Sequence, residues 1–216
     1  MHLEILVEDA SGKTLLESLM PKMIGDQGHP HTWRLHSYRG LGRIPGGLKA
    51  SDNAYHRLLL KELPRLLQGY GKTPGIDGVV VVLDSDKKNC REFLDELQIL
   101  RDGCRPVPRV LFRLAIEEIE AWYLGDRKAL LEAYPRGKRA VLDGYVQDRP
   151  CDTWELLADA VYPGGREAIL RAGWPLPGQV KHEWAEKIGP LLGLERNMSP
   201  SFQKLLSGMK RLLNEA

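Results

Sequence analysis

The sequence has few cysteines and no long apolar run. Only three of its 216 residues are cysteines, Cys90, Cys104 and Cys151, and no C-x-x-C pair is present. An odd and scattered set favours a reducing cytosol over a disulfide framework, and the missing C-x-x-C pair argues against structural zinc. No apolar run approaches the roughly 18 residues of a membrane helix, and the acidic N-terminus lacks a secretory signal pattern. We therefore expect a cytoplasmic protein without a membrane span.

One stretch of the chain contains no acidic residue. Between Gln27 and Ser51 there is no Asp or Glu, although the whole protein carries a net charge of only +2. The stretch is rich in glycine and contains Arg39, Arg43 and Lys49, so it is locally basic. We expect these three side chains to contact the phosphates of a nucleic acid. A solvated surface loop without a binding role is the alternative.

Strand and helix patterns alternate along the first part of the chain. Four apolar segments are typical of strands, with helical periodicity between them, at residues 3–7, 32–38, 78–84 and 109–115. This alternation predicts an α/β fold with a mostly parallel four-stranded sheet flanked by helices. Beyond residue 125 the pattern changes to short helical segments separated by proline and glycine. We therefore expect an α/β core over residues 1–125 and a helical subdomain over 126–216, packed on that core.

Acidic residues follow three of the predicted strands. Open α/β sheets bind ligands beyond the carboxyl ends of their strands, and a parallel sheet brings these residues to one edge. Close carboxylates repel one another unless a cation compensates, and Mg²⁺ prefers oxygen ligands. The candidate metal ligands are Glu8, Asp84, Asp86, Glu117 and Glu120. The structural alternative is that Asp86 or Asn89 caps the helix that follows.

Glu120 supports this prediction independently. At 100° per residue it falls inside an apolar arc of the predicted helix 116–124, between Ile116 and Leu124. A buried carboxylate is costly without a partner. The partner is an arginine, for which Arg113 is a candidate, a backbone donor, or a metal ion. A structural salt bridge and a metal site both remain open.

The sequence GKT at residues 12–14 resembles the end of a nucleotide-binding P-loop. The P-loop spacing requires a glycine where this chain has Val7, and the next residue, Glu8, is a carboxylate. A phosphate cradle is therefore disfavoured. We expect Ser11 to cap the first helix, and Ser11 and Lys13 to add contacts to a phosphate at the start of that helix.

The stretches that carry these residues resemble the Toprim family. They are ILVEDASGKTLLESLMPKM, VVVLDSDKKNC, FRLAIEEIEAWYLGD, KHEWAEKIG and SPSFQKL. More narrowly, the chain is similar to a bacterial Toprim-like family often encoded beside ATPases in phage-defence loci. That family is related to the nucleases of the overcoming-lysogenization-defect type. The resemblance implies a compact parallel α/β sheet and a partner ATPase.

The resemblance also implies roles for the acidic residues. Glu8 matches the Toprim glutamate that acts as general acid/base or metal ligand, and Asp84 and Asp86 match its D-x-D ligands. Glu117 and Glu120 take the place of the later acidic ligands of the nuclease branches. The chain departs from the family at residue 9, where an aspartate replaces a frequent glycine.

The function expected from these residues is a Mg²⁺- or Mn²⁺-dependent nuclease that acts on DNA or RNA. Glu8, Asp84, Asp86 and Glu120 are its expected catalytic carboxylates, and Lys87 is expected to touch a phosphate beside the D-x-D motif. The alternative is a non-catalytic Toprim-like subunit that regulates or assembles with an ATPase.

Overall fold

The computed structural model describes residues 1–38, 54–149 and 152–214, with side chains from residue 62 onward in the second range. Within these ranges the chain forms a sheet of four strands, which are β1 His2–Val7, β2 Thr32–Ser37, β3 Gly78–Asp84 and β4 Arg109–Ala115. Every pairing is parallel, and the strand order is β2-β1-β3-β4. The predicted α/β fold with a parallel sheet is confirmed. All four carboxyl ends therefore lie along one edge.

The two central strands, β1 and β3, carry apolar side chains on both faces, which suits them to the middle of the sheet. β3 carries four consecutive valines and a leucine, all buried, which is typical of a parallel strand covered by helices on both sides. In β1, Leu3, Ile5 and Val7 enter one buried cluster, whereas Leu6 on the opposite face enters another. This alternation fixes the register that pairs Val7 with Val82.

Helices cover both faces of the sheet. In chain order they are α1 Ala10–Ile24, α2 Ala54–Lys72, α3 Cys90–Asp102, α4 Glu120–Leu124, α5 Arg127–Ala133, α6 Arg139–Asp143, α7 Thr153–Val161, α8 Gly165–Ala172, α9 Leu176–Ile188 and α10 Pro200–Asn214. α2 and α3 bury leucines and Phe93 on the face of Leu6. α1, α9 and α10 bury their apolar sides on the opposite face. Among the helices of the described ranges, none is long and apolar enough to cross a bilayer.

The C-terminal helices share the core of the sheet. Trp184 of α9 and Phe202 of α10 are buried in the same cluster as Leu15 of α1 and Val80 of β3. Lys22 of α1 also donates hydrogen bonds to carbonyl groups in the turn after α9. The helices after residue 125 are therefore held against the sheet by a continuous apolar interior.

Two helix starts differ from the sequence prediction. α1 is capped by Asp9 and not by Ser11, since the Asp9 carboxylate accepts a hydrogen bond from the amide of Gly12 at 2.7 Å. The helix predicted from residue 116 begins only at Glu120. The residues before it form a loop because Glu117 has a left-handed φ of 61° and its amide donates to Ser85 Oγ at 2.7 Å.

Candidate functional site

The loops after β1, β3 and β4 meet at the carboxyl edge of the sheet and are joined by hydrogen bonds. The amide of Asp84 donates to Glu8 Oε2 at 2.7 Å, which ties the end of β3 to the end of β1. The amide of Asp86 donates to the carbonyl of Glu117 at 2.9 Å, which ties β3 to β4. Backbone contacts of this kind set the positions of the acidic side chains that follow the strands.

One group of acidic side chains surrounds Asp84. Burial raises the pKa of Asp84 well above its usual range, and the negative charges of four neighbouring carboxylates raise it further. We call the following set the inner cluster: Asp84 with Glu8, Asp9, Glu118 and Glu120, and the ammonium group of Lys181. The structure thus brings Glu8, Asp84 and Glu120 together, as the sequence predicted.

Glu120 is the most deeply buried carboxylate of the inner cluster. Its side chain is 1% exposed, and burial raises its pKa to about 7 although the charge of Lys181 opposes the shift. Lys181 Nζ lies 3.5 Å from Glu120 Oε1. The partner is therefore this lysine, and the candidate Arg113 is wrong. Arg113 donates instead to the carbonyls of Lys204 and Phe112.

Lys181 comes from α9, in the helical part of the chain. Its side chain is 14% exposed, and its ammonium group donates to Glu118 Oε2 at 3.0 Å. Burial lowers its pKa, but the charges of Glu120, Glu118 and Asp84 outweigh burial, so the net shift is upward. The lysine is thus held in its charged form among carboxylates.

Three buried polar atoms around the inner cluster have no hydrogen-bond partner in the described structure: Glu120 Oε1, Tyr123 Oη and Glu155 Oε2. Burial raises the pKa of Tyr123, and the charges of Glu120, Asp9 and Asp84 raise it further. Burial also raises the pKa of Glu155, which experiences the charges of Glu118 and Lys181. Buried polar groups are normally satisfied, so several unsatisfied ones in one place would gain from an added polar group or ion.

Asp86 and Glu117 lie on a separate surface. They line a cavity of about 460 Å³, which we call the outer cavity, with Ser85, Lys87, Lys88, Cys90, Ile116 and Asp152. The Glu117 carboxylate accepts hydrogen bonds from the amides of Asp152 and Thr153 and from Thr153 Oγ1, at 2.6 to 3.0 Å. It thereby caps the start of α7. Of the predicted D-x-D pair, Asp86 has a left-handed φ of 46° and lines this cavity, whereas Asp84 belongs to the inner cluster.

Of the residues expected to bind phosphate, Ser11 and Lys13 already have partners within the protein. Ser11 is buried and its hydroxyl donates to the Asp9 carboxylate at 2.9 Å, whereas Lys13 pairs with Glu17 at 3.7 Å. Gly12 is required by packing, since a Cβ atom there would lie 2.7 Å from Val7 Cγ2. The glycine of GKT thus lets α1 approach β1. The remaining predicted contacts, Arg39, Arg43 and Lys49, lie outside the described residues.

Sequence reasoning missed the residues that α7 and α9 contribute. Lys181, Glu155 and Thr153 lie far along the chain from the strand ends and belong to no recognisable spacing with them. The only sequence signal for Lys181 is its place at the start of KHEWAEKIG, one of the stretches that carry the Toprim resemblance. No feature of the sequence shows that its side chain reaches the sheet edge.

The inner cluster fits a cation by its chemistry but is not arranged around one. Within the described ranges, no group of three or more His, Cys, Asp or Glu side chains is placed so that it could hold a metal ion. The unsatisfied Glu120 Oε1 and the raised pKa of Asp84 nevertheless show that the cluster favours added positive charge. Oxygen donors of this type suit Mg²⁺ or Mn²⁺.

No protein-family model matches the chain, and no curated protein or solved structure is significantly similar to it. The Toprim resemblance therefore rests on the quoted stretches alone.

Proposed function

We propose that the chain is a Mg²⁺- or Mn²⁺-dependent phosphodiesterase that cleaves DNA or RNA. The observation that carries this proposal is the convergence of Glu8, Asp84 and Glu120, from three separate segments, at the carboxyl edge of a parallel sheet. Ligand sites of open α/β folds occupy this edge. Clustered carboxylates destabilise a fold unless they serve a cation, so their presence at this edge supports a metal-dependent activity.

Glu8, Asp84 and Glu120 are the residues that we assign to the metal. A bound divalent ion would polarise the phosphodiester, activate water and stabilise the leaving oxygen. Glu8 is partly exposed and its Oε2 is fixed by the amide of Asp84, so its carboxylate is oriented at the open edge. A fixed carboxylate that reaches solvent is suited to exchange a proton with water, and we assign Glu8 that role as well.

Binding of the nucleic acid is assigned to the cations beside this edge. Lys87 is exposed in the outer cavity, next to the loop that carries Asp84. Arg39, Arg43 and Lys49 belong to the acid-free stretch. Such side chains hold phosphates by charge and read no base sequence, so we expect cleavage with little sequence preference.

The wider setting of the proposal comes from the sequence resemblance. A Toprim-like nuclease of this kind would act in phage defence with a partner ATPase. The partner ATPase allows a separate test of the resemblance. If the isolated chain cleaves nucleic acid without ATP, the activity does not depend on that partner.

The experiment that tests the activity is cleavage of plasmid DNA and single-stranded RNA by the purified chain, with Mg²⁺, Mn²⁺ or a chelator. We expect cleavage with either metal and none with the chelator. Asp84→Asn keeps the size of the side chain and removes its charge, and we expect it to lower cleavage by about a hundredfold or more. Equal cleavage by wild type and Asp84→Asn would exclude the assigned site.

A non-catalytic scaffold is the second candidate function, and one observation favours it. Lys181 already neutralises part of the inner cluster by pairing with Glu118 and Glu120, so the cluster contains an internal counter-charge. Calorimetry with Mn²⁺ distinguishes the two. Heat of binding that depends on Asp84 supports the phosphodiesterase, and its absence supports the scaffold.

A further inference from the structure

Lys181 occupies a place that a cation would take in the inner cluster. Its Nζ lies 3.0 Å from Glu118 Oε2 and 3.5 Å from Glu120 Oε1. Glu120 Oε1 has no hydrogen-bond partner within the described ranges, so this lysine contact is its ionic compensation there. An ammonium group is a compact point charge with three donors, and it substitutes for a metal ion in balancing two carboxylates.

Two residues of α7, Trp154 and Glu155, offer the side chain of Lys181 alternative contacts. Nζ lies 5.8 Å from the centre of the Trp154 ring, within the range of a cation–π contact. Glu155, beside Trp154 on α7, carries an unpartnered buried oxygen and experiences the charge of Lys181. A lysine displaced from Glu118 and Glu120 therefore finds an aromatic face and a carboxylate on the adjacent helix.

We propose that Lys181 is a built-in competitor of the metal, which holds Glu118 and Glu120 in the metal-free protein and must leave them before a divalent cation binds. The inference rests on the proposed metal-dependent function and adds a regulatory element to the same site. A divalent ion bound at Glu118 Oε2 and Glu120 Oε1 would lie close to the charge of Lys181 Nζ, and the repulsion between the two cations in a buried site favours release of the lysine. Lys181 thus sets the metal affinity of the site and keeps the metal-free cluster folded.

The first test compares Mn²⁺ affinity by calorimetry in wild type, Lys181→Met and Lys187→Met. Methionine keeps most of the length of the side chain, is unbranched like lysine, and removes the charge. Lys187 is a matched control because it lies on the same helix, is 53% exposed and pairs with Glu183 at 2.6 Å. We expect Lys181→Met to tighten Mn²⁺ binding by about tenfold or more and Lys187→Met to leave it unchanged. Equal or weaker binding by Lys181→Met would overturn the inference.

The second test uses the wild-type chain, because Lys181→Met leaves two carboxylates uncompensated and its metal-free form is expected to be less stable. In the metal-free cluster, Lys181 Nζ contacts Glu118 and Glu120 and its side chain is only 14% exposed, so an amine-reactive reagent has little access to it. Release of Lys181 by Mn²⁺ is therefore expected to speed its acylation by about tenfold, measured by mass spectrometry, while Lys187 stays constant. An unchanged rate at Lys181 under saturating Mn²⁺ would show that the lysine stays in place.

The outcomes separate this inference from the proposed function. Mn²⁺ binding that does not depend on Asp84 contradicts both. Mn²⁺ binding that depends on Asp84, with no tightening in Lys181→Met and no change in acylation, leaves the metal site intact and excludes Lys181 as its competitor.

Discussion

The inner cluster and the outer cavity contain carboxylates from the same two loops, yet their chemistry differs. In the outer cavity, the Glu117 carboxylate accepts three hydrogen bonds that begin α7. In the inner cluster, Glu120 is buried with an unsatisfied oxygen, and Asp84 lies among like charges. The first arrangement lowers the free energy of the fold, and the second raises it unless a cation is added. Both carboxylates follow a strand, so position does not distinguish them. What distinguishes a structural carboxylate from a candidate catalytic one is whether its oxygens already have hydrogen-bond donors.

The largest expected effect is a difference in cleavage rate between variants of Asp84 and of Asp86. Asp84→Asn is expected to lower metal-dependent cleavage by about a hundredfold or more, because it removes a central ligand of the inner cluster. Asp86→Asn is the matched control, since asparagine tolerates the left-handed backbone of that position. We expect it to change the rate by less than about threefold. Equal losses in the two variants, measured as kcat/KM, would unite them as the D-x-D pair that the sequence predicted.

The next effect is a pH dependence of stability that belongs to the inner cluster. In the presence of a chelator, the folded pKa of Glu120 is about 7, against an ordinary value of 4.5. Because the folded state binds this proton more tightly, the contribution of Glu120 to stability is full below pH 4.5 and is lost as the pH rises through about 7. Glu120→Gln lacks this loss, so it is expected to gain stability relative to wild type between the two values. By urea unfolding, the gain approaches about 3 kcal/mol near pH 7.

Exposed Glu96 supplies the control for this pH dependence. Glu96→Gln is expected to follow the wild-type profile within about 0.5 kcal/mol at every pH. Parallel profiles for wild type and Glu120→Gln would show that Glu120 does not titrate in this window.

A smaller effect is expected in the outer cavity. Glu117→Ala removes the acceptor for the amides of Asp152 and Thr153, and loss of such a cap costs about 1–2 kcal/mol in the free energy of unfolding. The Mn²⁺ affinity of a metal site built from Asp84 and Glu120 is expected to stay unchanged. A drop in Mn²⁺ affinity without a change in stability would restore Glu117 as a metal ligand.

The sheet could be predicted from the sequence because its signals are local. The valine run of β3 specifies a strand buried on both faces, and the other three strands are similarly marked. The late start of α4 could not be predicted, since helical periodicity continues through Glu117. The helix cannot include Glu117 because this residue has a left-handed backbone and its amide donates a hydrogen bond to Ser85, which lies in the loop after another strand.

The site could be predicted only in part, for the same physical reason. Glu8, Asp84 and Glu120 follow strands or lie in an apolar arc, so topology alone brings them together. Asp86 has a positive φ and lines the outer cavity, and alternation along a strand does not reveal such a backbone. Lys181 reaches Glu120 only because α9 packs on α1, a tertiary contact that sequence spacing does not contain.

The smallest expected effect concerns the GKT segment at the start of α1. Lys13 is 39% exposed and pairs with Glu17 at 3.7 Å, a surface helix pair worth under about 0.5 kcal/mol. Lys13→Ala is therefore expected to leave the free energy of unfolding nearly unchanged and to reduce cleavage by less than about threefold. If Lys13 were the lysine of a phosphate cradle, the same change would abolish binding of ATP, measured by calorimetry. We expect no ATP binding in either form, because Val7 and Gly12 are in contact where a cradle needs an open loop and Asp9 already caps the helix.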